Sequence, residues 1–279
     1  MIPTAPVASR PPPPTFGEHL RHWRLRRRLS QFELAHEAAI STRHLSFVET
    51  GRSVPSREMV LRLAARLDIP LRERNALLLA AGYAPMYRER PLEHPELAAA
   101  RAAVELILRS HEPFPALAVD RHWNLVSYNA MVPPLLAGAD ASLLQRPVNV
   151  LRVSLHPRGL ASQILNLRQW RTHIFERLRQ QIAATADPVL AALLAELSAY
   201  PEPPDAGAQR QDGEHLGVVM PFLFSTPAGV LKLISTTTVF GTPVDVTLQE
   251  LALETFFPAD AATAQLLREM AARATPAET

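Results

Sequence analysis

The chain has 279 residues, 47% of them hydrophobic and 20% charged, with a formal net charge of +2 and no cysteine. That length and apolar content support one large or two ordinary domains and exclude a wholly disordered chain, while the missing cysteine excludes disulfides, thiolate metal sites and cysteine nucleophiles. The charge is divided: residues 16–90 carry fourteen Arg against eight Asp and Glu, and residues 91–279 fourteen Lys and Arg against nineteen Asp and Glu, so a basic head suited to a phosphate backbone precedes an acidic body.

No apolar run reaches the roughly 18–20 residues of a membrane helix, and the N-terminus lacks the apolar core of a signal peptide. Cytoplasmic localisation without membrane association is therefore expected. Residues 1–15, with Pro3, Pro6 and the run Pro11 to Pro14, read as a disordered tail of polyproline character.

Residues 16–84 read as an all-α domain of five short helices. Phe16, Leu20 and Trp23 share one face of the first. Ser30 and Glu33 form a capping box that starts a second near Gln31. Ser41 can cap a third, carrying Thr42 to Val48 and ended by Gly51. Pro55 and Ser56 open a fourth through Leu67, and a fifth runs from Leu71 to Ala81, stopped by Gly82.

Residues 85–96, with Pro85 and Pro91, read as a linker, residues 97–273 as a second, α+β domain, and residues 274–279 as a tail. A helix is expected over Pro95 to Arg109. A hairpin follows, Ala116 to Val119 and Trp123 to Tyr128 around Asp120-Arg121-His122, entering a helix at Asn129. Long helices are expected over Leu160 to Tyr200, a surface loop over Pro201 to His215, and strands over Leu216 to Ser225 and Gly229 to Phe240. Leu248 to Phe257 and Ala261 to Ala272 read as helical.

The second and third helices have the pattern of a helix-turn-helix. Ala35 suits a close helix approach, Ile40, Leu45 and Val48 lock the pair, and Thr42, Arg43, Ser46 and Phe47 face outward on the reading helix. Arg43 can donate two bonds to guanine, and Phe47 can pack on a thymine methyl. Gln31, Thr50, Arg52 and Ser53 stand where phosphates would be clamped. With Ser41 and His44 the candidate DNA-contacting set is Gln31, Ser41, Thr42, Arg43, His44, Ser46, Phe47, Thr50, Arg52 and Ser53, and the expected partner is double-stranded DNA.

The run Leu29-Ser30-Gln31-Phe32-Glu33-Leu34-Ala35 through Glu49-Thr50-Gly51-Arg52 resembles the Xre/Cro family, with Ala39 where that family often has glycine. Arg43 to Arg52, Pro70 to Asn75, Pro115-Ala116-Leu117 with Trp123, Asn149 to Arg152 with His156-Pro157, and Phe240 to Thr247 with Glu254 to Asp260 resemble MmyB-like regulators. That resemblance implies a PAS-like ligand-binding domain with an antiparallel sheet and, from some relatives, a bound fatty acid as effector.

From the residues themselves, Val119, Trp123, Tyr128, Val218, Met220, Phe222, Leu231, Leu233 and Val239 offer an apolar sheet that helices can cover to enclose a pocket. Arg152, His156, Asn129 or Arg171 could supply donors to an acyl carboxylate. The candidate ligand-contacting set is thus Trp123, Tyr128, Asn129, Leu151, Arg152, His156, Arg171, Met220, Phe222 and Leu233.

The carboxylates Asp245, Glu250, Glu254 and Asp260 lie on or beside an expected helix over Thr247 to Phe256 with no nucleophile, and His19 and His22 have no further ligand beside them. Neither a catalytic nor a metal site, nor any cofactor, is expected. The leading expectation is a ligand-responsive, homodimeric transcription regulator and no enzyme. The other readings are a body that binds a protein partner, as an antitoxin does, and an enzyme fused to a DNA-binding head.

Overall fold

A computed structural model describes residues 14–201, 220–241, 243 and 245–274. The expected tails before residue 14 and after 274, the loop to His215, the strand residues 216–219 with Val218, and residues 242 and 244 lie outside it. The chain divides into two compact units between Arg88 and Glu89.

The first unit is five helices, α1 (Phe16–Arg26), α2 (Gln31–Glu37), α3 (Thr42–Glu49), α4 (Arg57–Arg66) and α5 (Leu71–Ala80). The starts of α1 to α4 are fixed by side-chain caps, because the first amides of a helix have no internal partner, whereas α5 follows Pro70 without one. Thr15 with Glu18 and Ser30 with Glu33 form reciprocal capping boxes, while Ser41 and Ser56 accept from the amides of His44 and Met59. Gly51 and Gly82, both at positive φ, follow the ends of α3 and α5. Leu20, Trp23, Leu34, Leu45, Leu63, Leu67 and Leu78 form a closed core.

Gly17 brings α1 against the end of α3: a Cβ there would lie 2.3 Å from the Glu49 carbonyl oxygen, so no larger residue fits without shifting the backbone. In the turn between α2 and α3, Ala39 adopts φ 53°, the left-handed conformation in which a side chain costs energy and glycine does not.

The second unit is α+β. Helix α6 (Ala98–Ser110) leads to β1 (Ala116–Val119) and β2 (Leu125–Tyr128), followed by α7 (Val132–Leu136), α8 (Val150–Leu155), α9 (Leu167–Thr185) and α10 (Pro188–Ser198). Then come β3 (Pro221–Thr226), β4 (Gly229–Val239), α11 (Val246–Gln249), β5 (Ala252–Pro258) and α12 (Ala261–Ala274). The strands form one antiparallel sheet in the order β2-β1-β5-β4-β3. One face packs Ala116, Ala118, Leu251 and Leu253 against Val104 and Leu108 of α6. The other packs Phe222, Phe224, Leu231 and Leu233 with Trp170, Ile174 and Leu178 of α9 and with α10 and α12.

Two expectations are corrected. The segment Leu248 to Phe257, read as helical, holds only the single turn of α11 and then β5, the middle strand of the sheet. Leu251 and Leu253 are buried on one face, and Ala252 and Phe256 pack on the other, so both faces are apolar and the period-two signal is lost. The helix expected to start at Asn129 starts at Val132, because Asn129 is consumed in bracing the end of the hairpin.

Replacing Ala39 by glycine removes the left-handed strain and is expected to stabilise the first unit by about 1 kcal/mol. Slower amide exchange in α2 and α3 would show it; unchanged or faster exchange would refute it.

Candidate functional site

In the first unit, Thr42, Arg43, Thr50 and Arg52 are exposed, while His44, Ser46, Phe47 and Ser53 are half-buried. Ser41 is the N-cap of α3, which places Thr42 and Arg43 on its exposed first turn. Two guanidinium groups lie near the Phe47 ring, that of Arg43 at 5.3 Å and that of Arg52 at 5.9 Å, within reach of cation–π attraction. Thr50 donates its hydroxyl to the Ser46 carbonyl at 2.8 Å, which ties it to the end of α3.

The orientation of α3 is set at its other end by a buried ion pair that composition and spacing did not single out. Arg24 donates through Nε and Nη2 to the two oxygens of Glu49 at 2.6 and 3.0 Å, and through Nη1 to the Leu29 carbonyl at 2.8 Å. Gln31 donates Nε2 to Glu49 Oε2 at 2.7 Å. Its place at the start of α2 is thereby fixed through Glu49.

In the second unit, the sheet, α8 and α9 enclose a cavity of about 120 Å³. Its walls are almost wholly apolar, from Leu117, Leu125, Leu135, Leu136, Val148, Val150, Leu151, Val153, Leu160, Ile174, Phe222, Phe224 and Phe256, with the indoles of Trp123 and Trp170. The polar lining residues are Ser154, Arg177 and Glu254. Arg177 donates to both oxygens of Glu254 at 2.7 and 3.1 Å and stands 4.6 Å from the Trp123 ring. Trp123 holds φ 67°, a conformation that costs a bulky residue on the order of 1–3 kcal/mol. It is braced by its indole N–H to Gln181 Oε1 at 2.8 Å and by the Val150 amide on its carbonyl at 2.9 Å.

Of the ten ligand-contacting candidates, Trp123, Leu151 and Phe222 line this cavity. Leu233 is buried in the same core without reaching the cavity, and Tyr128 and Met220 are exposed. The four expected donors are placed elsewhere, each with partners of its own. Asn129 accepts from the amides of Ala116 and Met131 and donates to the carbonyls of Leu108 and Phe114. Arg152 makes a two-pronged pair with Glu196, which raises its pKa and lowers that of Glu196. Tyr200, pushed up to about 12 by burial and by its bond to Glu196, packs edge-on to His156, whose Nδ1 accepts from the Arg158 amide. Arg171 donates to the Ser198 and Pro201 carbonyls at the end of α10.

Arg177 and Glu254 were missed for one reason. The expected helix over Thr247 to Phe256 hides the alternation; read with period two, Leu-Ala-Leu-Glu-Thr-Phe-Phe puts Glu254 on the same face as Ala252 and Phe256, an acid among apolar neighbours that needs a cation.

Residues 100–270 match the model of the MmyB-like transcription regulator ligand binding domain, more than half of the chain. The chain belongs to the MmyB-like transcription regulators. Residues 15–77 match a helix-turn-helix domain, so this regulator joins a DNA-binding head to a ligand-binding domain. A search of curated proteins gave no match. Among solved structures the regulator is similar, at 9% identity and a TM-score of 0.25, to one titled as an RNA-binding light-oxygen-voltage receptor, over 92% of this chain and 63% of that one. It thus spans less than two thirds of that protein's length. No described helix is long and apolar enough to cross a membrane.

Removing Glu49 strands the buried Arg24 guanidinium. Glu49→Ala is expected to cost about 3–5 kcal/mol in the first unit, read as loss of exchange protection in α1 and α3. A loss below about 1 kcal/mol, the scale of a surface pair, would contradict the buried pair.

Proposed function

We propose that this regulator reads DNA as a homodimer through α3 and that its second domain senses a small apolar, chain-like ligand of the fatty-acyl class, defined by its chain and not by its headgroup. The cavity carries this reading: an apolar enclosure with one charged pair in its lining is suited to a hydrocarbon chain with a polar terminus. Its walls are shared by β1, β2, β3, β5, α7, α8 and α9, so an occupant would alter the packing of the whole unit. A ligand changes operator affinity only by as much as it binds the two states of the dimer differently. Dimer geometry is the natural variable, because paired reading helices must stand about 34–36 Å apart to enter successive major grooves.

On the DNA side, the exposure of Arg43 on the first turn of α3 and its contact with Phe47 support base readout. Arg52, exposed just beyond the helix, suits a phosphate. This division of labour separates specificity from affinity.

Arg43→Ala is expected to lose about 1–3 kcal/mol of discrimination at one G·C pair, whereas Arg52→Ala weakens binding to all sequences alike and lowers the salt dependence by about one phosphate contact. Selection from a randomised DNA library with each variant distinguishes the two; an unchanged preferred sequence for the Arg43 variant refutes its role. Native mass spectrometry of the purified chain, followed by denaturation, is expected to release an apolar small molecule. A stoichiometric protein in its place would favour the partner-binding reading.

A further inference from the structure

The charged pair that lines the cavity is already neutralised within the protein. Glu254, its side chain 5% exposed, receives Arg177 Nη2 at Oε1 and Arg177 Nη1 at Oε2. The Thr237 hydroxyl closes the arrangement, accepting from Arg177 Nη2 at 2.7 Å and donating to Glu254 Oε1 at 2.9 Å. The face of Trp123 lies against the same guanidinium. The place on Arg177 that a ligand carboxylate would take is therefore held by a carboxylate of the chain itself.

We propose that the cavity selects a single-chain apolar ligand whose headgroup is an uncharged hydrogen-bonding group, such as an alcohol or a primary amide, over the corresponding carboxylate. This deepens the apolar-ligand reading and rests on it. A carboxylate entering the cavity either sits beside Glu254 among apolar walls, where like charges repel strongly, or displaces it and leaves a buried carboxylate without its partner.

The other lining residues provide no compensating cation. Ser154 is neutral and accepts from the Trp170 indole at 3.0 Å. Outside the lining, His173, one turn before Arg177 on α9 and stacked on Trp170, has its pKa lowered, first by burial and then by the charge of Arg177. An uncharged headgroup meets no such penalty. Oε1 of Glu254 takes two donors and Oε2 one, and Arg177 makes three bonds from the five N–H groups of a guanidinium. Oε2 can accept from an O–H or amide N–H while Arg177 donates to its oxygen.

The test uses the full chain, freed of co-purified lipid, with decan-1-ol, decanamide and decanoate as probes near neutral pH. Binding is read by calorimetry and by the emission of Trp123 and Trp170, two of the three tryptophans. Wild type is expected to bind the alcohol and the amide about tenfold or more tightly than the acid. Glu254→Gln keeps the shape and frees the charge of Arg177, so the ratio should shift towards the acid by at least about tenfold. Decanoate binding wild type as tightly as decan-1-ol overturns the headgroup assignment alone. Binding of none of the three overturns that assignment together with the apolar-ligand reading.

Discussion

Glu254 sets the terms for the second unit. A carboxylate on the middle strand of a sheet, with apolar residues on both faces, is tolerable only if a cation reaches it and its remaining lone pairs find donors. Arg177 meets that requirement from α9, and the reach of its side chain limits where α9 can cross the sheet. The same crossing presses Trp170, Ile174 and Leu178, spaced four residues apart, onto the sheet and brings Arg177 over Trp123. The polar group that the strand cannot discard thus becomes, with Arg177, the one charged pair in the cavity lining, and the residues that shield it form the walls.

The first unit uses the same device for a different purpose. Glu49 closes α3, and Arg24 and Gln31 converge on it from α1 and α2. Gly17 lets α1 approach close enough for this to happen. Fixing α3 by its last residue leaves Thr42 and Arg43 on its first turn exposed. The turn that joins α2 to α3 retains alanine at a left-handed position and pays a local strain for it, offset by the packing of Ala35, Leu45 and Val48.

The head was legible in the sequence almost helix by helix. Ser30, Ser41 and Ser56 cap within three residues of themselves, and Gly51 and Gly82 follow helix ends by their own backbone freedom; Thr15, expected in the tail, instead caps α1 through a box with Glu18, which the preceding proline run hid. The β1–β2 hairpin and the β3–β4 pair around Thr226-Pro227-Ala228 were legible for the same reason, a turn bounded by short apolar runs. The site was less so: Trp123, Leu151 and Phe222 could be singled out as apolar residues, yet nothing local distinguishes a cavity wall from a filled core. Arg152 and Arg171 looked available because their partners are remote in sequence, Glu196 lying 44 positions from Arg152.

The sequence by itself determined the family, the basic head, the five helices of the helix-turn-helix domain and the caps of three of them, since caps, turns and charge blocks act between near neighbours. Only the tertiary structure decided that residues 252–258 are the middle strand, that Asn129 braces the hairpin, and that Arg177 meets Glu254 across 77 positions. A strand buried on both faces has no alternation to announce it, and an ion pair between distant elements exists only once the backbone has brought them together.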